Sequence, residues 1–401
     1  MKCRVCQNKI NTFMSFGKMP IANAFLNKED FEKEYFFDLS PAFCEKCFTF
    51  QIETQPDPQL MFHDNYAFFS KTSKHMQEHF KKYAEWVEKN FLYEKEKTFV
   101  VELGSNDGIL LENFALKGIK HLGIEPSANV AEVAKKNGVN TLIDFFNQDI
   151  SNKVLKGYGK ADAILAANVM CHIPNLNEIS KSAKILLKDK GVLIFEDPYL
   201  GEMIKKVSYD QIYDEHVYIF SALAVENIFL KDDFELIDLL PQITHGGSMR
   251  YVLCKKGMRK KSENVKKILN NERKQNLDKL FTYIKFKDNC EASKKRLLDI
   301  LNENKQKGKK IVGYAATSKS TTILNYCKIG PDLIEYICDT TQIKHNKYSP
   351  GMHIPIKPYE EFNKKYPDIA VLFAWNHKTE IELKEKKFEK KGGKFISHIY
   401  L

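Results

Sequence analysis

The sequence predicts an α/β protein with two parallel-sheet units behind a small cysteine-bearing module. Three observations predict it. Apolar strands alternate with helical segments over residues 98–255 and again over 309–400. Two C-x-x-C pairs fall within the first 50 residues. Between the two α/β units, residues from about 257 to 307 read as charged helix, poor in Gly and Pro. At 401 residues the chain is too long for one ordinary core, so several modules are expected.

The elements follow in order. Residues 1–60 are turn-rich with little helical period. The run SKHMQEHFKKYAEWVEKN (73–90) has one apolar stripe and predicts an amphipathic helix. TFVVELG (98–104) is a buried strand followed by a helix, and HLGIE (121–125) is a second strand followed by helix NVAEVAKKNG. A short strand TLID, a helix, strand ADAILAAN (161–168), another helix and strand GVLIFED (191–197) complete a parallel sheet. ELIDLLPQ and MRYVLCK add edge strands. In the second unit KKIVGYAAT (309–317), LIEYICD (333–339) and DIAVLFAWN (368–376) are strands, and GGKFISHIYL ends the chain in another. The modules so read are 1–60, 61–256, a helical connector 257–307, and 308–401.

Composition excludes several classes. Apolar residues make up 43%, enough for packed interiors. No run approaches the 18 apolar residues of a membrane span, and MKCRVCQNKI lacks the apolar stretch of a signal peptide. A cytoplasmic protein without a membrane partner is expected. The net charge of +10 comes from lysines spread along the chain, with no basic-aromatic cluster. That pattern argues against nucleic acid and suits an anionic small molecule.

Nine cysteines, five of them scattered singly, fit a reducing compartment. Cys3-x-x-Cys6 and Cys44-x-x-Cys47 are different. Each turn aims two sulfurs at one point, and together they make the tetrahedral thiolate set of a closed structural zinc site. No position stays open for water, which disfavours a catalytic zinc. A module this small needs the metal to fold.

The loop Glu102-Leu-Gly104-Ser105-Asn106-Asp107-Gly108 joins the first strand to a helix. Its glycines let the backbone approach a ligand, and the helix start offers N–H groups to a carboxylate. Glu125 ends the second strand, 21 residues after Gly104, where an acid suits the hydroxyls of a ribose. A dinucleotide fold needs glycine in the middle of the loop; Asn106 stands there, which disfavours NAD. E-x-G-x-x-x-G with a strand-end acid is the class I methyltransferase layout, so S-adenosylmethionine is the expected cofactor. Asp144 and Phe145 would flank its adenine, and Asn168 ends the fourth strand.

Several further segments resemble one family. They are ANVMCHIPNL (167–176), YDQIYDEHVYIFS (209–221), HGGSMRY (245–251), GYAATSKSTTILNYC (313–327) and KYSPGMHIPI (347–356). With the zinc pairs and the VELGSNDG loop, the chain resembles the nucleotide-sugar C-methyltransferases, especially the deoxysugar C-3 methyltransferases, over nearly its whole length. The resemblance implies methylation at C-3 of a 4-keto-6-deoxy sugar on a nucleoside diphosphate, dTDP- or GDP-linked. It implies His216 as the base that takes the C-3 proton, Tyr213 as donor to the C-4 oxygen, Glu215 as a tuning or orienting group, and His172 near the sugar. The enolate carbon would then attack the sulfonium methyl, with no metal needed. Ser318, Lys319 and Ser320 at a strand-to-helix turn suit a diphosphate, with His245 and Arg250 as further substrate contacts. The family often has Y-x-Y-x-S ahead of the helix at 73. Here Tyr66 is kept, but Phe68 replaces the second tyrosine. A monomer or weak dimer is expected.

Three other readings use the same residues. An O-methyltransferase would need a base at a hydroxyl, which the Y-D-E-H motif disfavours. A non-catalytic nucleotide-sugar-binding zinc protein would not need His216 beside the glycines and Glu125. Redox chemistry with NAD is disfavoured by Asn106.

Overall fold

The structure, a computed structural model, describes residues 1–61, 69–72 and 74–399. Tyr66 and Phe68 lie outside the described residues. Among the described residues no helix is long and apolar enough to cross a membrane.

The N-terminal module carries short strands β1 (Lys18–Pro20), β2 (Phe36–Asp38), β3 (Pro41–Phe43) and β4 (Phe50–Ile52), then the one-turn helix α1 (Pro58–Met61). Such short strands have no alternation long enough to read from sequence. The amphipathic helix α2 (Lys74–Phe91) buries Phe80, Tyr83, Ala84 and Val87, the stripe that its period predicts.

The central unit then runs β5 (Phe99–Leu103), α3 (Glu112–Ala115), β6 (Lys120–Ile124), α4 (Ala128–Lys136), β7 (Thr141–Leu142), α5 (Gln148–Tyr158), β8 (Ala161–Ala167), α6 (Leu176–Leu186) and β9 (Leu187–Pro198). It continues with α7 (Leu200–Lys206), β10 (Tyr218–Ile219), α8 (Ala222–Leu230), β11 (Phe234–Gln242) and β12 (Ser248–Lys255). Its seven strands lie in the order β11-β12-β9-β8-β5-β6-β7. Strands β5 to β9 are parallel, whereas β12 runs antiparallel between β9 and β11. This is the class I methyltransferase sheet. Separate hydrophobic clusters cover its two faces, as a buried parallel sheet requires. The helix expected directly after the glycine loop is only the four-residue α3.

Residues 257–307 form two helices with different attachments. Helix α9 (Glu263–Lys274) puts Val265 and Leu269 into the core of the central unit. Helix α10 (Leu280–Gln306) buries Tyr283, Phe286, Cys290, Leu297 and Leu301 against the N- and C-terminal modules. The C-terminal unit follows with β13 (Ile311–Tyr314), α11 (Ser318–Cys327), β14 (Ile337–Asp339), β15 (Ile356–Pro358), β16 (Ile369–Leu372) and β17 (Lys394–Ile396). Its sheet is parallel, ordered β15-β14-β13-β16-β17. The chain moves from β13 to opposite sides, so the β13–α11 turn lies at a topological switch point, where α/β sheets bind ligands.

One pairing crosses module boundaries. Strand β10 of the central unit pairs antiparallel with β4 of the N-terminal module, Tyr218 opposite Gln51 and Ile219 opposite Phe50. The segment just after His216 is thereby part of the zinc module's sheet.

Candidate active site and zinc centre

Cys3, Cys6, Cys44 and Cys47 converge, their sulfurs all within 4.8 Å of one another. The Cys3–Cys47 and Cys6–Cys44 sulfurs are each 3.5 Å apart. Sulfurs at about 2.3 Å from a tetrahedral zinc would sit a little under 4 Å from each other, so the set fits that ion. Contacts with Cys44 and Cys47 pull the Cys3 thiol far below its usual pKa, while contacts with Cys3 and Cys44 raise Cys47. Gln51 donates to Cys3 Sγ at 3.2 Å, an outer-sphere bond to a ligand.

A cavity of about 410 Å³ opens between all three modules. At its cofactor end lie Glu102, Gly104, Ser105, Asn106, Glu125, Phe145 and Asn168. Gly104 has φ +61°, and a Cβ there would stand 2.4 Å from Val169 Cγ2. The tight turn therefore needs glycine. Glu125 accepts the backbone N–H of Asn106 at 2.9 Å and of Ser127 at 2.8 Å, which fixes its carboxylate at the end of β6. Burial raises the pKa of Glu102, Glu125 and Asp107, the first of them well above its ordinary value. A buried acidic end that wants a cationic ligand fits the sulfonium and ammonium of S-adenosylmethionine.

Three residues of the expected cofactor set stay off the cavity. Asp107 turns away and accepts the Lys71 N–H at 2.9 Å. Gly108 packs against Val139 and Ala134, so it serves helix–strand packing. Asp144 caps its own loop, accepting the Phe145 N–H at 2.8 Å, while Phe145 faces the cavity, 42% exposed.

The opposite end gathers His172, Tyr213, Glu215, His216, His245, Ser318 and Lys319. His216 Nδ1 lies 2.7 Å from the Gln211 carbonyl and Nε2 lies 2.8 Å from the Tyr213 hydroxyl. A carbonyl only accepts, so Nδ1 carries the proton. Nε2 then holds a lone pair, and Tyr213 donates to it. Burial and the neighbouring His172 hold the His216 pKa well below the ordinary value. Burial likewise lowers His172 to about 4 and His245 to about 3. All three imidazoles are neutral at neutral pH. His172 stacks on His216 with ring centroids 5.4 Å apart, and His245 Nε2 meets Asn168 Nδ2 at 3.0 Å. Enclosure also lowers Lys319, whose ammonium lies 4.9 Å from the Trp375 ring.

Two expected substrate contacts lie elsewhere. Arg250 is buried under α2, its guanidinium forked onto Glu196 at 2.9 and 3.1 Å and stacked 3.7 Å from the Tyr83 ring. Glu196 also accepts from His79 and Thr244, and despite burial His79 and Arg250 keep its pKa low. Arg250 therefore locks α2 to the sheet and cannot reach a substrate. Ser320 closes a capping box with Thr317, so its hydroxyl is used by the helix. Tyr66 falls outside the described residues. The cavity also takes Asn23, Asn376 and His377, which sequence reasoning missed because nothing local marks them.

Comparison with known proteins agrees with this architecture. Residues 3–62 match the family described as a zinc binding domain, 74–239 a methyltransferase domain, and 243–399 a C-methyltransferase C-terminal domain. The C-methyltransferase NovU of Streptomyces niveus is 30% identical over 399 residues, 98% of this chain and 94% of NovU. A ubiquinone biosynthesis O-methyltransferase of Colwellia psychrerythraea is 24% identical over 39% of the chain and 55% of its own length. The crystal structure of magnesium protoporphyrin IX methyltransferase from Synechocystis PCC 6803 with bound SAM covers 45% of this chain and 79% of its own, at 15% identity and TM-score 0.33. The fold and its two centres define an S-adenosylmethionine-dependent methyltransferase with a structural zinc module. Within that class, the chain belongs to the C-methyltransferase family that includes NovU.

Proposed function

We propose that the protein methylates C-3 of a 4-keto-deoxy sugar carried on a nucleoside diphosphate. The observation that carries this reading is the Tyr213–His216 pair facing the cavity, with the tautomer of His216 set by the Gln211 carbonyl.

A sugar C–H is too weak an acid for any side chain, but a C-4 ketone makes its C-3 neighbour acidic because the anion is an enolate. When the ketone oxygen enters, Tyr213 turns its O–H from His216 to that oxygen. The turn frees the Nε2 lone pair at the moment it is needed. Nε2 takes the C-3 proton, and the electron pair moves onto the C-4 oxygen, where Tyr213 holds it. Glu215, next in the chain and also at the cavity, offsets the imidazolium charge. Ser318 and Lys319, at the switch point of the second sheet, hold the diphosphate. S-adenosylmethionine, when bound, supplies an electrophilic methyl on its sulfonium sulfur. Glu125 orients it through the ribose, and Asn168 and His172 close the space between the two ligands.

Incubation with S-adenosylmethionine and a panel of dTDP-, GDP- and CDP-linked 4-keto sugars, read by mass, tests the substrate class. A gain of one methyl on carbon, with solvent deuterium exchange at C-3, is expected. Methylation on oxygen, or none on any member of the panel, overturns the reading.

A further inference from the structure

We infer that the zinc module supplies a working residue of the active site, Asn23, which positions Glu215 and the base loop. The inference rests on the site proposed above.

The amide of Asn23 bridges the other two modules at the cavity. Its Nδ2 donates to Glu215 Oε1 at 2.7 Å, and its Oδ1 accepts from Ser318 Oγ at 3.1 Å. All three side chains line the cavity. The preceding residue repeats the pattern on the backbone: the Ala22 N–H donates to Asp214 Oδ1 at 3.0 Å, and the Ala22 carbonyl accepts from Thr321 Oγ1 at 2.8 Å. Loop 214–216 is thus held from one side by residues 22–23.

The same module holds it from the other side. The Ile52 N–H donates to the Val217 carbonyl at 2.9 Å, and β10 then pairs with β4. On β4, Gln51 bonds Cys3 Sγ, and Thr49 Oγ1 lies 3.1 Å from Cys47 Sγ. A short covalent and hydrogen-bonded route therefore joins the cysteine cluster to the residue after His216. A side chain that donates to Glu215 fixes where that carboxylate points, and an amide does so without adding charge. Asn23 acts through Glu215 and Ser318, so it is a positioning residue, and the metal-held fold of residues 1–60 sets its place.

The variants are Asn23→Ala, Asn23→Asp and, as a docking control, Glu34→Ala. Glu34 ties the N-terminal to the C-terminal module away from the cavity, accepting the Gly351 N–H at 2.7 Å and pairing with His353. Asn23→Ala should lower kcat roughly ten- to a hundredfold, the effect of one hydrogen bond to a charged group, with S-adenosylmethionine affinity unchanged. Asn23→Asp, which sets a second carboxylate against Glu215, should move the acid limb of the kcat–pH profile up by about one unit or more. In hydrogen–deuterium exchange, Asn23→Ala and zinc chelation should each speed exchange in the 209–221 peptide before the 98–110 peptide. Glu34→Ala should lower thermal stability and keep kcat. Unchanged kcat and unchanged 209–221 exchange in Asn23→Ala overturn the inference, as does an equal kcat loss in Glu34→Ala. If the wild type methylates no keto sugar, the substrate reading has failed, and the exchange result alone decides the role of Asn23.

Discussion

Replacing His216 by asparagine separates the proposed chemistry from packing, because the two ring nitrogens have different partners. Nδ1 holds the Gln211 carbonyl at 2.7 Å, and Nε2 faces Tyr213 and the cavity. An asparagine amide overlays Nδ1 and keeps a donor for Gln211, while nothing replaces Nε2. The buried side of the site stays satisfied, so the stability loss should be about 1 kcal/mol, one altered hydrogen bond. The catalytic loss should be far larger, ~10²–10⁴-fold in kcat, the usual contribution of a positioned general base. Cofactor affinity should not move, since His216 is bonded to Gln211 and Tyr213 rather than to Glu125 or the glycine loop. The assay is single-turnover methyl transfer by mass, beside calorimetric binding of S-adenosylmethionine and a thermal melt. Tyr213→Phe should also lose kcat more than KM, because its hydroxyl matters most as charge grows on the C-4 oxygen. A folded His216→Asn protein with near wild-type turnover refutes the reasoning and leaves Glu215 or His172 as the base to test.

Other outcomes follow from the same geometry. Glu125→Ala should weaken S-adenosylmethionine binding by roughly 1.5–3 kcal/mol, about ten- to a hundredfold, and should also lower stability, because the Asn106 and Ser127 N–H groups lose their acceptor; unchanged affinity in calorimetry would remove Glu125 from the ribose. Metal analysis of the reduced protein should find about one zinc per chain, and Cys→Ser at Cys3, Cys6, Cys44 or Cys47 should abolish it and destabilise the module. Burial raises the pKa of Glu102 and Glu125, and a cationic ligand in the cavity favours their ionised forms. Binding of S-adenosylmethionine should therefore release protons and tighten as pH rises through that raised range, then level off. Calorimetry in buffers of different ionisation enthalpy reads this, and proton uptake on binding would contradict it.

Much of this was legible in the sequence, for identifiable reasons. Long periodic segments such as 73–90, and strands that carry their own apolar runs, declare themselves locally. The cysteine pairs and the glycine loop with Glu125 declare themselves by spacing, because the ligand fixes the spacing. What sequence could not give is which polar side chain ends up at the cavity. Arg250 sits in a suggestive HGGSMRY run, yet β12 turns it to Glu196 and the ring of Tyr83. Ser320 shares a turn with Ser318 and Lys319, yet one residue of helical rotation sends it into the cap. Asn23 is 192 residues from Glu215, and only tertiary structure brings them together. The antiparallel insertion of β12 is equally invisible, since pairing order leaves no mark on a single strand.

The cavity is electrically polarised, and its polarity matches the proposed reaction. One end holds Glu102 and Glu125, whose carboxyls burial makes reluctant to ionise alone. The other holds Lys319 and the imidazoles of His172, His216 and His245, which burial makes reluctant to gain a proton. In the proposed reaction each end would be relieved by its own ligand, the sulfonium at the first and the diphosphate at the second. With both ligands in place, negative charge building on a sugar between them is attracted to the sulfonium and to the proton newly held by His216. The depressed pKa of His216 looks like a handicap for a base, and in the free protein it is one. It describes the site before an enolate stands beside it. In the proposed reaction the adjacent anion would raise the proton affinity of Nε2 just as the C-3 proton arrives, so the imidazole would be neutral when waiting and strong only when the substrate is there.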